Sequence, residues 1–277
     1  MPSFQGIVPM SDREDFCFLS FSSGSSGNCY YFGDGKDGLL IDAGVSPRRI
    51  VRTLRACGLP ENCFSALLVT HDHYDHVKFL DALCKCFSVP AFAPEALCTA
   101  LFRHSYPLSH FASCRRAVQV GPSFEVPLFR AMAFEVPHDA SYTVGYFLEG
   151  LGHRALLVTD CGRMPQEAVE LGMTADTLVI ESNYDPLMLE AGPYPPELKS
   201  RIRSGFGHMS NGECGEALSR MYHPQLRNVF LCHLSENNNT PMEAYAAASS
   251  ALEGLAPAGS VAVRVLPRRS PTPLFRL

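Results

Sequence analysis

Six short apolar runs in this chain each stop at an acidic residue or a histidine. That pattern limits the fold more than any other feature. Residues 38–41 stop at Asp42, 66–70 at His71, 134–137 at His138, 155–159 at Asp160, 178–180 at Glu181 and 229–232 at His233. Runs of this length, bounded by turn residues, read as buried strands. Helical patterns alternate with them, which gives an α/β or layered α+β class. The rim where such strands end is where these folds gather functional side chains. Polar turns account for aspartate and glutamate at strand ends. They do not account for three histidines in a chain that holds 10.

Helix starts are readable between the runs. Ser46-Pro47 gives an N-cap and a proline at the first helical position, with Ile50, Val51 and Leu54 on one face and Gly58 to end it. Ser210-x-x-Glu213 is a capping box before Cys214, Ala217, Leu218 and Met221. Thr240-Pro241-Met242-Glu243 opens an alanine-rich helix. Residues 261–266 read as a last strand. Residues 1–15 read as a flexible leader and 267–277 as a frayed, basic, proline-rich tail.

The densest chemistry lies in Thr70-His71-Asp72-His73-Tyr74-Asp75-His76, an H-x-H-x-D-H string directly after a strand. His71 and His73 can converge on one metal ion from an extended loop. Asp75 and His76 can serve a second from the start of the next helix. Imidazole and carboxylate ligands suit Zn²⁺, Mn²⁺ or Fe. A structural loop gains nothing from so many rings that repel when charged and need partners when buried. The joint reading is two adjacent divalent metals. His71, His73 and His138 hold the first, Asp75, His76 and His233 hold the second, and Asp160 bridges.

This order of motifs resembles the metallo-β-lactamase superfamily over roughly residues 16–266, read as one hydrolase domain. The resemblance implies a four-layer αββα sandwich with the metals at one edge, and it puts Asp42 behind the ligand loop as a support. Residues 21–29 (FSSGSSGNC), 181–185 (ESNYD), 207–211 (GHMSN) and 233–238 (HLSENN) are similar to the YycJ/WalJ-type subgroup. That likeness implies a 5′-to-3′ exonuclease acting on double-stranded DNA, with a hydroxide between two Zn²⁺ or Mn²⁺ ions as nucleophile. Asp75 would orient that hydroxide. His208 would bind phosphate or protonate the leaving oxygen.

Other candidates follow from local chemistry. A glycine/serine loop after the first strand offers Ser25, Ser26, Gly27 and Asn28 as a phosphate nest. Ser210 and Asn211, at a helix start beside His208, are further substrate contacts. Glu181 and Asn183 can orient His208 or a ligand from behind. Lys199, Arg201 and Arg203 precede His208 and can follow a nucleic-acid backbone. Arg48, Arg49, Arg52 and Arg55 read first as a solvated helix face. His104, His110, His153 and His223 read as structural or surface residues.

Composition narrows the setting. The chain is 46% hydrophobic and 18% charged, which excludes disordered and coiled-coil classes. A net charge of −5 removes any global attraction to polyanions, so a DNA site must be local. Eleven scattered cysteines form no Cys-x-x-Cys pair, and no signal-like segment or 18-residue apolar run is present. A cytoplasmic protein with reduced thiols is the simple reading. The competing readings are a small-molecule metallohydrolase on the same scaffold (thioesterase, lactonase or cyclic phosphodiesterase) and a non-catalytic metal-binding partner protein. No ligand is missing from the set, which disfavours the last.

Overall fold

The computed structural model describes residues 16–104 and 107–277. The leader expected over residues 1–15 lies outside the described residues. In chain order the strands are β1 (Cys17–Ser22), β2 (Cys29–Gly33), β3 (Gly38–Ile41), β4 (Ala66–Leu68), β5 (Ala91–Pro94), β6 (Arg115–Val118) and β7 (Ser123–Val126). They continue with β8 (Phe129–Glu135), β9 (Val144–Gly150), β10 (His153–Val158), β11 (Thr177–Glu181), β12 (Asn228–Cys232), β13 (Ala262–Val265) and β14 (Phe275–Arg276). The helices are α1 (Pro47–Ala56), α2 (Tyr74–Val77), α3 (Leu80–Phe87), α4 (Glu95–Leu101) and α5 (Ser109–Cys114), followed by α6 (Gln166–Gly172), α7 (Pro186–Ala191), α8 (Pro196–Ile202), α9 (Asn211–Met221) and α10 (Pro241–Leu252).

The strands form two seven-stranded sheets, ordered β14-β1-β2-β3-β4-β5-β6 and β13-β12-β11-β10-β9-β8-β7. The alternation along each strand explains why the sheets pack as they do. Cys17, Leu19 and Phe21 of β1 face a core with Ile50, Leu83, Leu97 and Phe111 on the helices of the first half. Phe18, Tyr30, Phe32 and Ile41 face the other way, against Tyr146, Leu157, Val179 and Phe230 of the second sheet. The rings of Phe18 and Phe230 lie 4.4 Å apart between the sheets. Leu156, Ile180 and Leu231 turn outward onto Val169, Leu218 and Ala248. The result is the expected αββα sandwich, with the central strands of both sheets buried on both faces.

Strand direction places the site. β3 and β4 run parallel, as do β10, β11 and β12, with helices in the crossovers. Their C-terminal ends therefore open on one edge. The Ser210–Glu213 capping box closes in both directions at the start of α9, and Thr240 accepts from the Glu243 N–H at the start of α10. Ser46 makes no side-chain cap on α1, which starts on its proline alone.

The tail differs from the expectation of fraying. β14 pairs antiparallel with β1, Cys17 opposite Arg276 and Phe18 opposite Phe275. The Thr272 N–H donates to Ser20 O at 2.9 Å, and the Ser20 N–H donates to Thr272 Oγ1 at 3.1 Å. Proline and arginine content suggested a loose end. The open edge of β1 and the apolar Phe275 instead dock it. The strand expected over residues 261–266 is β13, but it is not the last.

Candidate metal centre

The site is built where the two sheets open together. β3 delivers Asp42, β4 delivers Thr70 and His71, β10 delivers Asp160, β11 ends in Glu181 and β12 delivers His233. α2 begins at Tyr74 and carries Asp75 and His76 in its single turn. Asp42, Asp160 and His233 have φ of 65°, 34° and 52°, a left-handed backbone uncommon outside glycine. Each chain reverses sharply as it leaves its strand, and the side chain is thrown toward the shared edge. Gly44 lets three segments meet: a Cβ there would lie 1.9 Å from Asp75 O and 2.3 Å from Asn28 N.

Hydrogen bonds then aim the rings. His76 Nδ1 lies 2.7 Å from Asp42 Oδ2, while Asp42 Oδ1 accepts from the Thr70 N–H at 2.9 Å. His138 Nδ1 donates to Gly207 O at 2.8 Å. His233 Nδ1 and His208 Nδ1 share Glu181 Oε1, at 3.0 and 2.8 Å. Carbonyl and carboxylate oxygens only accept here, so each ring carries a proton on Nδ1, and His76, His138 and His233 turn Nε2 toward the cluster.

Seven side chains expected as ligands come together. The donor atoms of His71, His73 and His138 lie within 4.8 Å of one another, as do those of Asp75, His76 and His233. Asp160 falls within the same distance of both sets, grouped with His71 and His76 on one side and with Glu181, His208 and His233 on the other. His71 Nε2 and His233 Nε2 are buried with no hydrogen-bond partner, a costly arrangement unless a cation fills the gap. The donors are imidazole nitrogens and carboxylate oxygens, and they fit a pair of divalent ions. The thiol of Cys161 beside them is pushed well up by burial and by Glu181, so it stays protonated.

The electrostatics agree with a cation site. Burial alone would lower His233, but Asp160, Asp75 and Glu181 outweigh it and raise the ring to about 10. His71, buried beside His76, is held well below the ordinary histidine range. Burial pushes Asp160 up, yet His233 and His76 draw its carboxyl well below the usual carboxylate range.

The expected substrate contacts divide. Ser25 and His208 line the cleft that opens onto the cluster, together with Arg201, Tyr194 and Asn183, the last expected as a support for a ligand or His208. The glycine/serine loop is braced rather than open. The Gly27 and Asn28 N–H groups bond Gly24 O and Asp75 O, and the Gly24 N–H bonds Asn28 Oδ1. Asn28 turns its amide onto His76 Nε2 at 2.8 Å and Asp75 Oδ2 at 3.2 Å. Ser26 and Gly27 do not line the cleft, although Ser26 is exposed. Ser210 is used as the α9 cap, and Asn211 is buried in a paired-amide contact with Asn239. Neither lines the cleft. Asp139 went unnoticed in the sequence. It sits 3.6 Å from His138 Nε2 and pairs with Arg201, and its position directly after His138 was the available signal.

The model of a beta-lactamase superfamily domain matches residues 38–233, which include every residue of the cluster. The chain belongs to the metallo-β-lactamase superfamily. Within it, the chain is 30% identical over 237 residues to the exodeoxyribonuclease YycJ of Bacillus anthracis, covering 85% of this chain and 89% of that one. It is also 30% identical over 224 residues to the exodeoxyribonuclease WalJ of Streptococcus pneumoniae, covering 81% and 83%. Among solved structures, Zn²⁺-bound PqqB from Methylobacterium extorquens superposes with a TM-score of 0.69 over 92% of this chain and 99% of that one, at 18% identity. YhfI from Bacillus subtilis gives 0.67 over 93% and 99%, at 16% identity. These structural likenesses establish the metallo-β-lactamase fold. Among the described residues, no helix is long and apolar enough to cross a membrane.

Proposed function

We propose that this protein is a two-metal phosphodiesterase that removes nucleotides from the 5′ end of double-stranded DNA. The observation that carries the reading is His208. It lies outside the seven-residue ligand set, yet lines the same cleft. Its Nδ1 is fixed on Glu181 at 2.8 Å, and the side chain remains 22% exposed. Two relatives named exodeoxyribonucleases, aligned over most of their length, point the same way.

His71, His73 and His138 would hold one divalent ion, and Asp75, His76 and His233 the other, with Asp160 between them. Such ions, Zn²⁺ or Mn²⁺, supply water activation and neutralise charge on a phosphoryl group. The protein's own residues do the rest. Asp75 Oδ2 lies 3.6 Å from both His76 Nε2 and His233 Nε2, placed to orient an attacking water. Burial lowers His208, but the Glu181 carboxylate overrides it and raises the ring. With Nδ1 held by Glu181, Nε2 carries the proton that meets a phosphate oxygen or the leaving 3′ oxygen. Arg201, on α8 across the cleft, adds a cation at the rim. Ser25 lines the cleft and would touch the strand. Eleven cysteines that form no disulfide fit a reducing cytoplasm.

The test is degradation of a 5′-phosphorylated, end-labelled duplex with Mn²⁺ or Zn²⁺, beside single-stranded DNA and RNA. Stepwise loss from the 5′ end, abolished by Asp75→Ala and slowed by His208→Ala with metals retained, supports the reading. Two bound metals with no cleavage of any nucleic acid refute it, and thioesters, lactones and cyclic nucleotides become the substrates to try.

A further inference from the structure

The docked tail does more than close a sheet. Residues 267–269 cross the glycine/serine loop and reach the loop after His233. The Ser23 N–H donates to Pro267 O at 3.2 Å, and Ser22 Oγ donates to Arg268 O at 2.8 Å. Arg268 packs its Cβ and Cγ on Gly24 and sends its guanidinium to Ser235 O at 2.7 Å. Arg269 pairs with Glu236 at 2.5 Å. Ser25, Ser235 and Glu236 all line the catalytic cleft, so this strap is part of its rim.

Two further elements bring cations to the same place. Arg49 of α1 donates to Phe21 O at 3.1 Å and to Arg269 O. Lys78, just after α2, donates to Ser26 O. Arg52 lies one turn along α1, close enough that its charge, after burial, lowers the Arg49 guanidinium. Arg49 and Lys78 bond backbone carbonyls, not carboxylates. Glu236 is the acidic partner of Arg269. Crowded like charges in a chain of net charge −5 are held at a cost in self-repulsion that a bound polyanion relieves.

We infer that Arg49, Arg52, Lys78, Arg268 and Arg269 form a backbone-tracking wall at the rim of the cleft that carries the DNA duplex away from it. This rests on the phosphodiesterase reading for its ligand and adds the surface that reading lacks. The carbonyl bonds of Arg49 and Arg268 fix the strap against the loop. The exposed Arg52 and Arg269 meet phosphates.

Binding of a fluorescent, cleavage-resistant phosphorothioate duplex to the metal-loaded protein, followed by anisotropy over a range of salt, tests it without turnover. The exposed Arg52→Gln and Arg269→Gln variants leave the carbonyl braces intact. Each is expected to reduce the salt slope by about 0.9 and weaken binding about eightfold near 0.1 M salt, additively in the double variant. Arg130→Gln, on β8 and 60% exposed, removes the same net charge elsewhere and serves as the control. Losses no larger than the control's overturn the wall, as does wild-type protein that does not bind the duplex. Wild type that binds through the wall but fails to cut an unmodified duplex leaves the wall standing and removes the phosphodiesterase reading instead.

Discussion

Replacing Glu181 by glutamine should cost metal affinity much more than stability. The carboxylate is fully buried and accepts from four N–H groups. Oε1 faces His208 Nδ1 at 2.8 Å and His233 Nδ1 at 3.0 Å, and Oε2 faces the backbone N–H of Cys161 at 2.9 Å and of Met209 at 3.0 Å. Glutamine has the same shape but one donor end. The backbone N–H groups can only donate, so the amide oxygen must take their side. The amide NH₂ then faces two imidazole nitrogens, and its two hydrogens match them if each ring moves its proton from Nδ1 to Nε2. All four contacts survive as neutral bonds, each weaker by roughly 1 kcal/mol without the charge. A stability loss of about 2–4 kcal/mol follows, which a domain of ordinary stability survives. His233, however, now presents N–H where a lone pair is needed. Loss of such an orienting partner costs about 10–100-fold in metal affinity. Denaturant unfolding of the chelated protein gives the first number, and competition for Zn²⁺ with a chromophoric chelator gives the second. Glu181→Gln protein that unfolds more easily yet holds Zn²⁺ as tightly as wild type would refute the tautomer argument.

Other consequences are as concrete. Gly44→Ala places a methyl 1.9 Å from Asp75 O, so the loop and α2 must separate; a loss of over roughly 3 kcal/mol in unfolding is expected, against near-neutrality if the junction is loose. The metal-free protein should lose stability as pH rises. His233 is raised from 6.5 to about 10, so its charged form stabilises fully below the unfolded value and fades as pH climbs through the folded one. Metal-free protein with a flat melting temperature from neutral to strongly alkaline pH would contradict this. Zn²⁺ binding near pH 7 should release at least one proton, because His233 must give one up to bind; a pH indicator in weak buffer reads it, and no release counts against His233 as a ligand.

Much of the site was legible because strand ends are short-range features. Asp42, His71, Asp160, Glu181 and His233 each follow an apolar run, and parallel strands bring such ends together whatever the sheet order. The H-x-H-x-D-H string was legible because nothing structural explains its density. Contacts depending on distant chain segments were not. Asn28 read as a phosphate contact, since its hydrogen bonds to His76 and Asp75 span about fifty residues. Ser210 and Asn211 were credited to the substrate, although the capping box already gave Ser210 a partner. The tail read as loose because proline and arginine content outweighed a two-residue strand whose partner lies at Cys17.

The pairing of Cys17 with Arg276 also orders assembly in time. A chain emerging from the ribosome makes the first strand early, but that strand's outer neighbour and the residues bracing the glycine/serine loop come after every ligand has been synthesised. Contacts this distant in sequence form late and slowly. Until they do, an exposed strand edge invites pairing with other chains, and the loop that carries Asn28 to His76 is untethered on one side. The docking of residues 267–277 therefore covers the β1 edge and tethers the glycine/serine loop together.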